Sequence, residues 1–217
     1  MKLGLTLLWL VLVVNLSIAQ DDETPIKPVA RQVTAEMNFD PFSGNALSIN
    51  YLRFRLFRTN DQAYRIGFAG SLRNEAPQSD VKRNYYELNI RPGYEKHFNG
   101  TDRLSPYLGA ELDFAIKQST YTNDGGGPYS EIKGAWTDNG LERGFTRFGF
   151  NIIAGVDFYF AKHFYVGTEF GFGLQSTKSA DIEITPTGVT TPTIFEGGST
   201  LQVGPNFNSS IRLGFVF

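Results

Sequence analysis

The side chains of this sequence that could do chemistry are carboxylates and arginines at alternate positions of otherwise apolar segments. Glu111 and Asp113 have this spacing, as do Arg53 and Arg55. Two carboxylates on one wall could act as a general acid and a general base, as in glycoside hydrolases. Acids and arginines are nearly balanced in number, so each carboxylate is expected to pair with an arginine. The pattern singles out no catalytic pair, and we predict that the protein is not an enzyme.

Metal and cofactor sites are not predicted either. The chain has two histidines, His97 and His163, and no cysteine, a set that does not suit a zinc site. Both histidines fall at predicted short turns, where we interpret them as solvated. The glycine-rich stretch 124–127 lacks the lysine and the helix that follow in a phosphate-binding loop. The net charge of −2 argues against a nucleic-acid partner.

The segment 147–160 shows which kind of element positions the charges. Its even positions, from Phe148 to Phe160, are all apolar, whereas its odd positions include Arg147 and Asp157. A period of two is typical of a β-strand with one apolar and one polar face. The pattern recurs along the chain, and it predicts eight strands at residues 32–40, 47–58, 64–73, 84–98, 104–117, 147–160, 164–177 and 201–217.

The N-terminus indicates an exported protein. Lys2 precedes a nearly unbroken apolar run, and Ser17-Ile18-Ala19 has the small side chains of a cleavage site. We assign residues 1–19 to a signal peptide, the acidic and proline-containing residues 20–31 to a flexible periplasmic tail, and residues 32–217 to one domain.

The connections between the predicted strands alternate in length. Those after the second, fourth and sixth strands are short, whereas those after the third, fifth and seventh are longer. In an exported chain, this alternation and the two-faced strands predict an all-β fold, a membrane-spanning antiparallel eight-stranded up-and-down β-barrel. The apolar residues of the second strand change parity near Tyr51, which predicts a β-bulge there.

The polar strand faces would line the lumen of this barrel. An eight-stranded barrel is just wide enough for side chains to fill, and unpaired charges would be costly inside it. We therefore expect a plug of ion pairs rather than a water channel. Asp40 lies on the same face, and the predicted network comprises Glu36, Arg53, Arg55, Arg65, Arg73, Glu87, Arg91, Glu95, Glu111, Asp113, Arg147, Asp157, Glu169 and Arg212.

At this point the chain resembles the small eight-stranded outer-membrane barrels, the group of the OmpA transmembrane domain and OmpX. The resemblance covers residues 32–217 and rests on the signal peptide, the eight alternating segments and the ending Ile-Arg-Leu-Gly-Phe-Val-Phe. It implies a location in the outer membrane of a Gram-negative cell, in contact with outer-membrane lipid and lipopolysaccharide. It also implies that Leu213, Phe215 and Phe217 form the assembly signal for the barrel-assembly machinery.

The sequence leaves three functions open. The preferred hypothesis is a non-enzymatic barrel that acts in envelope structure, or as an adhesion or accessory subunit that contacts a protein partner through two long loops, 118–144 and 178–200. The first alternative is a narrow pore or transporter. The second is a secreted soluble barrel that binds an apolar ligand, which requires the apolar strand faces to point inward.

Overall fold

The computed structural model describes residues 25–39 and 47–217, with side chains at all of these positions except 39, 47–50 and 206–210. The predicted signal peptide and Asp40 therefore lie outside the described residues. None of the described residues belongs to a helix that could cross a membrane. The strands are β1 Val33–Phe39, β2 Leu47–Thr59, β3 Gln62–Gln78, β4 Val81–His97, β5 Leu104–Asn123, β6 Tyr129–Lys133, β7 Phe145–Ala161, β8 Phe164–Ser179, β9 Ile182–Pro186, β10 Thr193–Phe195 and β11 Ser199–Val216.

Eight of these strands pair into a closed antiparallel ring. The order around the ring is β1, β2, β3, β4, β5, β7, β8 and β11, and β11 pairs with β1 to close it. The ladder between β5 and β7 runs from Leu104 opposite Phe158 to Lys117 opposite Phe145. The predicted all-β antiparallel fold with an eight-stranded ring is confirmed.

The two faces of the strands point as the alternation predicts. Phe148 and Ile152 on β7 are 46% and 58% exposed on the outer wall, whereas Asp157 on the inner wall is 0% exposed. On β8 the apolar outer positions run from Phe164 to Leu174. Those eleven residues match the roughly 9–11 residues of a membrane-spanning strand. An apolar outer wall of this extent suits hydrocarbon, and the soluble alternative with an apolar interior is wrong.

The parity change in β2 is a break in strand register. Along the ladder between β1 and β2, Met37 pairs with Leu52, but the next residue, Asn38, pairs with Ser48. The extra β2 residues between these two pairs bulge out of the ladder. The predicted β-bulge is confirmed.

The two long connections are more ordered than predicted. β5 continues to Asn123, and β6, β9 and β10 extend its sheet beyond the ring as a small four-stranded layer, which we call the cap. The prediction of two long loops at 118–144 and 178–200 is therefore wrong where the chain forms β6, β9, β10 and the end of β5. β6, β9 and β10 have only three to five residues each and therefore present no long apolar face.

The N-terminal segment is also packed where the structure describes it. Ile26 packs against Tyr159, Tyr165 and Val216 at the end of the lumen opposite the cap. The backbone N–H of Arg31 donates to the Phe57 carbonyl at 2.7 Å. The prediction of a flexible tail is wrong for residues 25–31, because an apolar side chain covers the tyrosines at this end of the barrel.

The outer wall generates a stability prediction. Replacing Ile152 with Arg places a cation among lipid-facing side chains and should lower the free energy of unfolding by about 2–4 kcal/mol. Urea unfolding in lipid vesicles measures this change. Thr146→Arg is the matched control, since Thr146 is exposed on the same strand above the apolar residues, and it should cost about 0–1 kcal/mol. Equal losses in the two variants would contradict a lipid-facing wall.

Candidate functional site

The lumen holds a group of charged side chains that we call the lumen cluster. Every strand of the ring contributes to it, because the inward positions converge on one axis. None of its members exposes more than 8% of its surface. The cluster consists of Glu36, Arg53, Arg55, Arg65, Glu95, Glu111, Asp157, Glu169 and Arg212.

Arg55 lies at the centre of the lumen cluster and binds three carboxylates. Its Nε is 3.1 Å from Glu95 Oε2. Its Nη2 is 2.8 Å from Glu36 Oε1, and its Nη1 is 2.5 Å from Asp157 Oδ2. One guanidinium thus joins carboxylates from β4, β1 and β7. The planar fork of arginine makes this possible, and the single ammonium of lysine could not reproduce it.

Arg212 completes a ring of ion pairs with Arg55, Glu36 and Asp157. Its Nη1 is 2.9 Å from Glu36 Oε2, and its Nη2 is 3.0 Å from Asp157 Oδ1. Glu36 and Asp157 are therefore each held by both arginines. Because β11 supplies Arg212 and β1 supplies Glu36, the contact ties together the two strands that close the barrel.

Two further arginines extend the cluster toward the cap. Arg65 Nη1 lies 2.6 Å from Glu95 Oε1 and 2.8 Å from Glu169 Oε2, and its Nη2 lies 3.1 Å from Glu111 Oε2. Arg53 reaches Glu169 Oε1 with its Nη2 at 3.3 Å, and its Nη1 is also 3.3 Å from a Glu36 oxygen. Each carboxylate of the pair Glu95 and Glu169 is shared between two arginines, so the network is continuous.

Buried tyrosines complete the cluster, and the sequence-based network did not include them. Tyr107 donates its hydroxyl to Glu169 Oε2 at 2.6 Å, and Tyr165 donates to Glu36 Oε1 at 2.7 Å. The Arg55 guanidinium carbon lies 5.1 Å from the centre of the Tyr107 ring and 5.7 Å from that of Tyr165. Both tyrosines occupy inward positions of the predicted strands. The alternation of the strands therefore already indicated that they face the lumen.

Inward glycines make room for these tyrosine rings. A Cβ on Gly214 would lie 2.1 Å from the Tyr165 ring, and one on Gly155 would lie 2.3 Å from the Tyr107 hydroxyl. No side chain fits at either position while the tyrosine keeps its place. The glycines on the polar strand faces are thus part of the packing of the lumen.

The lumen is looser on the cap side of the cluster. Asp113 lies between Arg91 Nε at 3.5 Å and Arg147 Nη2 at 3.6 Å, and it accepts a hydrogen bond from Asn89. Both arginines are half-buried. A cavity of about 410 Å³, lined in part by Tyr51 and Asp113, lies between Asp113 with its two arginines and the lumen cluster. A polar cavity of this size holds water.

The structure does not bring two of the predicted network residues into the cluster. Arg73 is exposed and pairs with Glu75 at 2.8 Å, because β3 pairs with β2 only as far as Ala69 and Arg73 lies beyond that level. Glu87 lies opposite Lys117 in the ladder, but Lys117 pairs with Glu142 instead. Glu87 makes no ion pair within the described part of the chain.

His97 is not the solvated turn residue that the sequence predicts. It is buried, its Nδ1 is 2.9 Å from Ser105 Oγ, and its Nε2 is 3.3 Å from Glu95 Oε2. The prediction is wrong because His97 is the last residue of β4 and has the inward parity of Glu95, although the predicted strand 84–98 already included it. His163 does lie in a turn, with a φ of 82°. It is half-buried rather than solvated, with Nδ1 2.9 Å from the Val216 carbonyl oxygen.

The contact of Ser105, His97 and Glu95 has the order of a nucleophile, a base and an acid. Arg55 and Arg65 also bind Glu95, so the carboxylate of this contact is shared with two arginines. Ser105 is also only 6% exposed. Across residues 25–39 and 47–217, no group of three or more histidine, cysteine, aspartate or glutamate side chains is placed to hold a metal ion.

Together, the closed ring, the apolar outer wall and the charged lumen define an integral-membrane β-barrel with eight strands. No protein-family model matches the sequence, and no curated protein matches it.

Two solved outer-membrane barrels are among the structures with a similar fold. The attachment invasion locus protein Ail of Yersinia pestis has a TM-score of 0.38 and 13% identity over 86% of this chain and 93% of its own. The N-terminal β-barrel domain of Pseudomonas aeruginosa OprF has a TM-score of 0.35 and 18% identity over 88% of this chain and 100% of its own. With such scores, the fold of this chain is defined by its own strand ladders.

The central arginine generates a prediction about stability. Arg55→Met leaves three buried carboxylates without their shared partner and should lower the free energy of unfolding by about 3–5 kcal/mol. Urea unfolding in lipid vesicles is the measurement. Arg73→Met is the control, since Arg73 is exposed on the cap side of the barrel, and it should change stability by about 0.5 kcal/mol or less. A mild effect of Arg55→Met would show that the lumen cluster contributes little to the fold.

A second prediction concerns the contact between Gly214 and Tyr165. Gly214→Ala places a methyl group on a fully buried ring, displaces the ring from Glu36 and should cost about 1–3 kcal/mol. Gly204→Ala on the same strand is the control, since nothing lies within 4 Å of the added carbon. The measurement is the urea midpoint of unfolding of each variant and of the native protein. A Gly214→Ala protein with the native midpoint would refute the packing argument.

Proposed function

We propose that this protein is a non-enzymatic integral outer-membrane β-barrel with a charge-plugged lumen. It acts in envelope structure, or as an adhesion or accessory subunit that contacts a protein partner through the cap. The observation that carries the proposal is the lumen cluster, because it blocks the barrel with side chains from all eight strands and leaves the cap as the surface free to bind.

The membrane location follows from the outer wall and from the strand connections. Strands of this length with apolar outer positions fit the outer membrane of a Gram-negative cell, where barrels of this type occur. The cap lies at the end with the two long connections, those between β5 and β7 and between β8 and β11, and long connections face outward in such barrels. The longer connection predicted after the third strand is wrong, because β3 and β4 extend to Gln78 and Val81 and meet in a tight turn. Lipid and lipopolysaccharide would then surround the apolar wall. The barrel-assembly machinery would recognise Leu213, Phe215 and Phe217 at the end of β11.

The packing of the lumen supports a structural role over transport. Arg55, Tyr107 and Tyr165 are among the largest fully buried side chains. An ion that passed this level would have to separate ion pairs in a region without room for water, which costs far more than an ion pair at a surface. The narrow pore is therefore the weaker alternative.

The position of Ser105 supports a protein without hydrolase activity. A serine nucleophile needs a substrate site beside it and a base with a stabilised positive charge. Ser105 is buried beneath the rim, and the arginines hold the carboxylate that would assist His97. We expect no hydrolysis of phospholipid or ester substrates by the protein in detergent, and no difference between the native protein and Ser105→Ala.

The cap is suited to binding because it is already ordered. Its strands enclose a small core of Ile132, Ala135, Ile182 and Ile184. Arg143 ties the cap to the chain after β8 through its Nε, which donates to the Ala180 carbonyl at 2.8 Å. A preformed surface loses less conformational entropy on binding than mobile loops do. Ile194 and Phe195 on the edge strand β10 are 57% and 52% exposed, which supports a contact surface there.

The cap can be tested by site-specific photo-crosslinking in intact cells. A photo-reactive residue at Ile194 should crosslink to one discrete protein partner, whereas the same residue at Leu88, on the apolar wall, should not. A variant with residues 124–128 and 183–195 replaced by short glycine-serine turns lacks position 194, so it is tested by pull-down of the partner that the crosslink identifies. It should no longer capture that partner and should preserve heat-modifiable migration of the folded barrel. Identical products at both positions, or none at Ile194, would count against an adhesion or accessory role.

Conductance in planar bilayers separates the plugged barrel from a pore. The native protein should show no steady conductance above the background of the bilayer. Arg55→Met with Arg65→Met, which removes the two central arginines, should open intermittent steps if it folds. Steady single-channel steps in the native protein would favour the pore and overturn the plug.

A further inference from the structure

The rim of the barrel opposite the cap is strongly basic. It is formed by the three short turns between strands and by the N-terminal segment 25–32. We call its positive side chains the basic rim: Lys27, Arg31, Arg58, Lys96, Arg103 and Lys162. Among the described residues of this rim, the acidic side chains are Asp61 and Asp102. Positive charge is therefore in clear excess.

Several basic side chains of the basic rim lie at the next outward position after the lipid-facing residues of their strands. Arg58 lies two residues beyond the exposed Leu56 on β2, and Lys96 lies two residues beyond the exposed Tyr94 on β4. Because side chains alternate between faces, these bases lie on the outer wall. Lys162 is exposed in the turn that follows β7. The charges thus begin where the apolar wall ends, at the level of lipid phosphates.

Most of this positive charge is not neutralised within the protein. Lys96 is the exception, since it donates a hydrogen bond to Asp61, and this bond lowers the pKa of the Asp61 carboxyl. Arg58, Arg103 and Lys162 are exposed and form no ion pair within the described part of the chain. Arg103 uses one guanidinium nitrogen to donate to a backbone carbonyl, that of Phe160, at 3.2 Å.

The boundary of the apolar wall on the cap side has a different character. The outward residues just beyond it are uncharged amides and hydroxyls, all exposed: Asn74, Asn84, Gln118, Thr146 and Ser176. The two boundaries of one wall therefore differ in charge. A general need for polar residues at a membrane interface does not explain this difference, because amides or hydroxyls would satisfy it at both ends.

We propose that the basic rim binds anionic phospholipid headgroups, such as phosphatidylglycerol, in the leaflet opposite the cap. The proposal rests on the membrane insertion proposed above, but not on any role of the cap. Lysine and arginine at an anionic membrane surface each contribute about 1 kcal/mol. Phospholipid suits the rim better than a soluble polyanion, because Arg58 and Lys96 continue the outer wall of their strands and Lys162 is exposed at the same end of the barrel.

Lipid selectivity in vesicles tests the basic rim. The protein is reconstituted in phosphatidylcholine, and spin-labelled phosphatidylglycerol and phosphatidylcholine are compared by the fraction immobilised at the protein surface. The native protein should prefer phosphatidylglycerol by about fivefold, the factor that corresponds to about 1 kcal/mol. The variant Arg58→Gln/Arg103→Gln/Lys162→Gln should lose this preference. About 1 M salt should also remove it, because the Debye length then falls to about 3 Å.

The matched control removes three exposed lysines near the cap, by Lys82→Gln/Lys133→Gln/Lys178→Gln, and should keep the preference. Heat-modifiable migration confirms that both variants fold, and urea unfolding reports membrane insertion separately. Equal selectivity in the native protein and the rim variant would overturn the proposal. No selectivity in the native protein, together with rim-dependent sedimentation with purified peptidoglycan, would overturn it in favour of a cell-wall partner.

Discussion

The structure depends on the placement of one guanidinium, that of Arg55, among three carboxylates inside a closed barrel. A buried charge is tolerated only when opposite charges and hydrogen bonds surround it. Arg55 meets this condition through Glu36, Glu95 and Asp157, which come from three different strands. The contacts exist only when the ring is closed and each strand has its correct register. A slip of one residue would turn these side chains toward lipid, so the lumen cluster selects one arrangement of the eight strands.

The lumen changes character along its axis, and this change has a physical origin. Near the basic rim, tyrosine rings over glycines fill the space, and the N-terminal Ile26 covers them. Toward the cap, the pairs become looser and a polar cavity opens around Asp113. The same barrel therefore has a packed end and a hydrated end. Closure at the packed end is what makes a structural or adhesive barrel a better interpretation than a channel.

The outer surface is divided as clearly as the lumen. The apolar wall meets hydrocarbon, uncharged polar residues border it on the cap side, and bases border it at the other end. Beyond the wall, β6, β9 and β10 build the cap around its own apolar core. Each zone has the residues that its surroundings require, so the orientation of the protein in a membrane is encoded over its entire surface. We propose that the cap and the basic rim are separate surfaces for separate partners, a protein outside and phospholipid inside.

The sequence by itself determined the strands, their two faces and the barrel class, because a period of two is a local property set by which face meets lipid. It also placed most of the buried charges, from Glu36 to Arg212, on the correct side of the wall. Only the tertiary structure decided which carboxylate meets which arginine, why His97 is buried, and why Arg73 and Glu87 stay outside the lumen cluster. Those outcomes depend on the stagger between strands and on where each ladder stops. The sequence did not predict the cap for the same reason: β6 and β9 are short, have no lipid-facing pattern, and pair with each other across about fifty residues of chain.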